Sequence, residues 1–227
     1  MTKFDYVCFI SYRNAHEVEG HLTRFTKTLA DEISDKAEAY LSDSAVRDTQ
    51  GRNIFLDQYA FPNYVFDVAT LSQGLCKSIV WIVLYSRNYL SGSLWCASEL
   101  HGMSRLEVLR LHLLNASANP DFGFVVPVII TGTKEEMPPF LRKNKHHIVD
   151  LSKIYLRPGF RGSDEFTDAL TGLLDKIGRV QQAIIDGNVD ICCDCVNFSL
   201  KDINQEAEKS VVENFIIALK TPPQPGI

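Results

Sequence analysis

The chain lacks a glycine-rich phosphate loop. After its first apolar run, "SYRNAHEVEG" holds one glycine, placed late. That argues against Rossmann and P-loop nucleotide binding, where several close glycines let the backbone approach phosphate. It also lacks a long hydrophobic run. The longest, Ile79 to Leu84, falls far short of the roughly 20 residues a bilayer span needs. The opening "MTKFDYVCFISY" is broken by Asp5 and does not read as a secretory leader. A cytoplasmic location is therefore expected. The six cysteines are then expected as reduced thiols rather than a disulfide framework. Neither sign of charge is in large excess, with a formal net charge of −5. Nucleic acid would call for a basic face. The one dense basic cluster, "LRKNKHH" from Leu141 to His147, reads as a solvated loop. There is no internal repeat and no low-complexity tract.

What is there is an ordinary globular composition, 45% hydrophobic and 22% charged over 227 residues, ample for one domain with an appendage. "DYVCFISY", Asp5 to Tyr12, hardly alternates, as expected of a central parallel strand buried on both faces. Leu22, Phe25, Leu29 and Ile33 fall at helical spacing, which predicts a helix from about His16 to Ile33. "NIFLD", Asn53 to Asp57, is a second strand, and Val65 to Cys76 reads as a helix. "SIVWIVLYS", Ser78 to Ser86, is the most apolar strand. Ser86 is a candidate N-cap for a helical region from Tyr89 to about Leu114. Phe124 to Ile130 and His147 to Leu151 are further strands. Leu170, Leu173, Leu174, Ile177 and Ile184 form a helical stripe within Phe166 to Ile185. Strands alternating with helices predict an α/β, doubly wound, flavodoxin-like parallel sheet of five strands. Ligands in such folds sit beyond the carboxyl ends of the strands, where Ser11-Tyr12-Arg13, Asp57 and Ser86 lie.

After Gly187 the character changes. Residues 1–186 read as the main domain and 187–227 as a C-terminal extension. The extension has one further strand, an amphipathic helix from Leu200 to Lys220 and a disordered tail, "TPPQPGI". Cys192 and Cys195 make a C-x-x-C with Cys193 between. A zinc site would need two more ligands at suitable spacing, and none is near, so no metal is expected.

In "SRNYLSGSLWCASEL", Trp95 and Glu99 stand four residues apart and so share one face of a helix. By spacing alone this is a packed aromatic beside a solvated carboxylate as readily as one wall of a site. The wider sequence resembles the Toll/interleukin-1 receptor (TIR) domain family. "FDYVCFISYRN" looks like its first signature. "IFLDQYAFPNYVFDVATLSQGLCKSIVWIVLYSRNYLSGSLWCASEL" looks like its second strand, BB loop, second helix, third strand and third-helix entry, in order. The resemblance covers about Phe4 to Ile185 and implies the same five-stranded parallel fold.

The family does two jobs. Some members are adaptors that bind one another, and others cleave NAD+ at the nicotinamide–ribose bond. The resemblance to the enzymes implies Glu99 as the catalytic carboxylate. It implies Arg13 at the diphosphate, with Tyr12, Asp57, Phe61 and Trp95 lining the substrate site. NAD+ is then a substrate, giving ADP-ribose or a cyclic ADP-ribose signal, with no cofactor. It further implies self-association through TIR–TIR contacts, an effector or sensor protein as partner, and a place in prokaryotic antiviral immunity. Adaptors of Toll type also carry Trp-Cys-x-x-Glu, so the non-enzymatic scaffold is the alternative. Arg13 after Ser11-Tyr12, and the lack of a C-terminal Phe-Trp box, favour the enzyme. Trp81 and Trp95 are the only tryptophans. Pro62-Asn63 departs from the Pro-Gly of many members. Asn tolerates positive φ at modest cost, so the loop's shape and partner surface are open.

Overall fold

A computed structural model describes residues 4–13, 20–41, 53–56, 67–90, 93–116, 122–143, 148–188 and 198–200. Its centre is β1, Tyr6–Tyr12, and β3, Ser78–Tyr85. All eight residues of β3 are buried, because a central parallel strand is covered on both faces. Around this pair stand β2 (Ile54–Leu56), β4 (Val125–Ile129) and β5 (Val149–Asp150). The sheet order is β2-β1-β3-β4-β5, and every pairing is parallel. The fold is α/β and flavodoxin-like, as the alternation of strands and helices predicts.

Two helix layers cover the sheet. Helix α1, His21–Ala37, and the long C-terminal helix, Asp164–Gly187, pack on each other and against β1, β2 and β3. Leu22, Phe25, Leu29 and Ile33 are all buried, as are Leu170, Leu173, Leu174, Ile177 and Ile184. Both predicted stripes therefore face the core. Helix α1 runs four residues past Ile33, because Ala37 also finds a buried place. The second layer is α2, Val68–Cys76, with α3, Leu94–Leu113. A short α4, Pro139–Lys143, lies against β4 and makes the helix at Asp164–Gly187 α5.

Local chemistry sets the helix starts. Asp67 caps α2, accepting from the backbone N–H of Ala69 (3.3 Å) and Thr70 (2.9 Å). Gly74 lets α2 approach β2, since a Cβ there would stand 2.5 Å from the ring of Phe55. Ser93, not Ser86, caps α3, accepting from the N–H of Cys96 at 3.2 Å. Residues 87–90 form a turn instead of opening the helix. The cause is Tyr89, which is fully buried with its ring 6.4 Å from that of Tyr85. A helix begun at Tyr89 would have to lift that ring out of the core.

Helix α3 is fixed at its far end by buried polar contacts. Arg110 donates to the carbonyls of Cys76 (2.7 Å), Ser78 (2.9 Å) and Ile79 (3.2 Å). Its guanidinium carbon lies 4.3 Å from the Trp81 ring centroid. Glu107 accepts from the N–H of Phe124 (2.9 Å) and Val125 (3.0 Å). These contacts tie α3 to the entry of β3 and of β4, and so fix which turn of α3 reaches the opposite end of the sheet.

Of the C-terminal extension, Phe198 to Leu200 pack back onto the main domain. Leu200 is fully buried, and its N–H donates to Ser72 Oγ at 3.0 Å. Its side chain and that of Phe198 sit over Gly102 of α3, where a Cβ would come within 2.9 Å of Leu200. The expected strand around Cys192 to Cys195 and the expected helix beyond Leu200 lie outside the described residues. Cys8 and Cys96 are buried thiols. Cys76 is disulfide-bonded, so the expectation of reduced thiols fails at that position. Among the described residues, no helix is long and apolar enough to cross a membrane.

Candidate functional site

In a sheet of this order the direction of winding switches between β1 and β3, and ligands of such folds sit beyond the carboxyl ends of the strands at that switch. Tyr12 pairs with Leu84 and Ser11 with Val83 across that junction. Three polar side chains from distant stretches meet there. Ser11 comes from the end of β1, Tyr89 from the turn after β3, and Glu99 from the second turn of α3. All three are buried, at 1%, 0% and 8% exposure.

The Ser11 hydroxyl donates to Glu99 Oε2 at 2.5 Å. Ser11 Oγ also lies 2.5 Å from the Tyr89 hydroxyl. A hydroxyl has one proton to give. Since Ser11 gives its own to Glu99, Tyr89 is the donor to Ser11. Tyr89 is suited to that part. Burial above all, then the nearby Cys96 and Glu99, push its phenol well above the ordinary value, against a smaller opposite effect of the Ser11 bond. It therefore stays protonated across any working pH.

The predicted site residues fall as follows. Glu99 is buried against Ser11 at the end of β1, not turned to bulk solvent. Trp95, one turn earlier on α3, is 37% exposed, and so offers a partly open aromatic face near the carboxylate. Tyr12 is buried in the core at 5% exposure, and its carbonyl accepts from the Cys96 thiol at 3.7 Å. Arg13, partly exposed at the exit of β1, donates from Nη1 to the Asn88 carbonyl. That bond ties β1's end to the turn that carries Tyr89. Asp57, Phe61 and the rest of the loop through Tyr64 lie outside the described residues.

Sequence reasoning placed Ser11 at a ligand-binding strand end but gave it no role, and it did not single out Tyr89 as a site residue. They stand 88 and ten residues from Glu99 by the numbering, and only the sheet register brings them together. The available signal was a pair of hydroxyls, each at the exit of an apolar strand. The arrangement holds one carboxylate in a low-dielectric notch, with a hydroxyl on one oxygen and an aromatic ring a turn away. Such a group can offset a developing positive charge and accept hydrogen bonds from a polyhydroxylated ligand. Among the described residues, no group of three or more His, Cys, Asp and Glu side chains gathers as a metal site. Cys192, Cys193 and Cys195 lie outside the described residues. No protein-family model, no curated protein and no solved structure matches the chain.

Proposed function

We propose that this protein is a TIR-type NAD+ glycohydrolase or cyclase, with Glu99 as its catalytic carboxylate. The observation that carries the reading is the burial of Glu99 beyond the carboxyl ends of β1 and β3, with its carboxylate hydrogen-bonded by Ser11. A solvated helical glutamate would need neither. The residue order through "SYR" and "WCASE", which resembles the NAD+-cleaving TIR domains, gives the chemistry its direction.

The reaction asks little of the protein beyond charge and placement. The bond from ribose C1′ to the nicotinamide nitrogen breaks, and its electron pair goes to that nitrogen. Nicotinamide leaves neutral and needs no proton from a general acid. The positive charge it gives up appears on the ribose as an oxocarbenium-like cation. One carboxylate beside the sugar stabilises that cation and accepts from its hydroxyls. Water then adds at C1′ and releases a proton, giving ADP-ribose. Attack by a nucleophile within the same ADP-ribosyl unit gives a cyclic product instead. Trp95 supplies an apolar wall for nicotinamide or ribose. Arg13 meets the diphosphate, where a planar guanidinium matches paired oxygens. Tyr12, Asp57 and Phe61 complete the pocket, and self-association through the BB loop of a second copy assembles it in a cytoplasmic defence response.

The test is product analysis by mass spectrometry after concentrated protein is incubated with NAD+. Nicotinamide with ADP-ribose identifies a hydrolase, and nicotinamide with a product one water lighter than ADP-ribose a cyclase. Intact NAD+ under crowded, assembly-promoting conditions overturns the enzymatic reading in favour of a docking module.

A further inference from the structure

We infer that Ser11 and Tyr89 are positioning residues for Glu99: a directed chain, Tyr89 O–H to Ser11 Oγ and Ser11 O–H to Glu99 Oε2, fixes the carboxylate in one orientation before any ligand arrives. The two bonds are each 2.5 Å. The order of donors follows from the single proton on Ser11. Both donors sit on rigid parts of the fold. Ser11 belongs to β1, which is paired on one side with β2 and on the other with β3. Tyr89 is fully buried, in a turn closed by its own N–H donating to the Ser86 carbonyl at 2.8 Å.

A glutamate side chain has three rotatable bonds, and ordering it is costly. Fixing it through neighbours that are themselves fixed meets that cost during folding instead of during reaction. Successive bonds also polarise one another in a low-dielectric surrounding, so the phenol acts on Glu99 through the serine. Neither hydroxyl is required to touch substrate. Their role is to hold the group that does.

The kinetic arm of the test rests on the NAD+-cleaving reading, and the structural arm does not. Ser11→Ala, Tyr89→Phe and the double variant are compared with wild type for nicotinamide release and thermal midpoint. A displacement of reacting groups by about 1 Å costs on the order of a hundredfold. We therefore expect Ser11→Ala to lower kcat by about that factor with KM for NAD+ nearly unchanged. Tyr89→Phe, one bond further away, should lower kcat by roughly fivefold, the value of one neutral hydrogen bond. The double variant should be no slower than Ser11→Ala alone, because the phenol acts only through the serine. Additive losses, or unchanged kcat in folded single variants, overturn the inference while leaving the enzymatic reading intact. The structural arm is the crystal structure of Ser11→Ala. A Glu99 carboxylate that is displaced or split between positions supports the inference even where no NAD+ is cleaved. One that stays in its wild-type place overturns it.

Discussion

The same substitution, glycine to alanine within a helix, should move stability in opposite directions at two positions. At Gly172, on α5, an added Cβ meets nothing within 4 Å. Only the helix propensity gain of about 1 kcal/mol applies there. At Gly74, on α2, the added Cβ would stand 2.5 Å from Phe55 Cδ2 and Cε2 and 2.7 Å from Cγ, about 1 Å inside ordinary contact. Phe55 cannot turn aside. It is 3% exposed, stacks on Phe9 at 5.0 Å and 8°, and meets Tyr6 edge-on at 5.2 Å. Overpacking of this kind costs about 1–3 kcal/mol. The contact is at the severe end of that range, so the propensity gain does not cancel it. We expect Gly74→Ala to lose about 1–2 kcal/mol net. In a domain of this length 1 kcal/mol corresponds to about 2–4 °C in Tm. Gly74→Ala should melt roughly 2–8 °C below wild type, and Gly172→Ala about 2–4 °C above it. Differential scanning calorimetry of the three proteins measures both shifts in one buffer. A Gly74→Ala protein as stable as wild type would refute the packing of α2 on β2.

Further outcomes follow from the same contacts. Arg110→Ala removes a guanidinium that holds three carbonyls and faces Trp81; we expect about 3–5 kcal/mol lost in urea unfolding, and a loss under about 1 kcal/mol would mean α3 is held elsewhere. Ser93→Ala deletes the N-cap of α3 and should cost about 1 kcal/mol, whereas Ser86→Ala should not carry a capping penalty. At Glu32, burial works to raise the carboxyl, but hydrogen bonds from Lys36 and Arg161, helped by their charges, outweigh it and hold it below its ordinary value. A carboxyl lowered by folding lends stability above its unfolded value, about 4.3, and loses it as pH falls through the lower folded value. Both cations are largely exposed, so the effect is small and salt-sensitive. Urea midpoints taken from pH 7 to 3 should fall less steeply for Glu32→Gln than for wild type, and parallel profiles would exclude the linkage.

The fold was legible in the sequence wherever burial leaves a periodic trace. Ile79 to Leu84 reads as a doubly covered strand, and it is one. The stripes Leu22 to Ile33 and Leu170 to Ile184 mark the two helices that face the core together. What periodicity could not show was the reason α3 starts late. Ser93 is a capping type of residue, but only the burial of Tyr89 rules out a helix beginning at that tyrosine. Nor does any local pattern mark Arg110 and Glu107 as buried. Charged residues near the end of a helix read as solvent-facing until their partners, the entries of β3 and β4, are in place. At the site, Glu99 and Trp95 were legible because helical spacing and family resemblance both mark them. Ser11 was legible only as a strand-end residue and Tyr89 not at all, because their meeting with Glu99 is a product of the β1/β3 register.

The most direct measurement is nicotinamide release from NAD+ by wild-type protein and by Glu99→Gln, followed by chromatography at high protein concentration. The glutamine keeps the shape of the side chain and removes its charge. We expect release by wild type and a fall of at least about a hundredfold in the variant, the size of effect seen when a group stabilising transition-state charge is lost. Equal release by both proteins would contradict Glu99 as the catalytic carboxylate, and release by neither would contradict the enzyme itself.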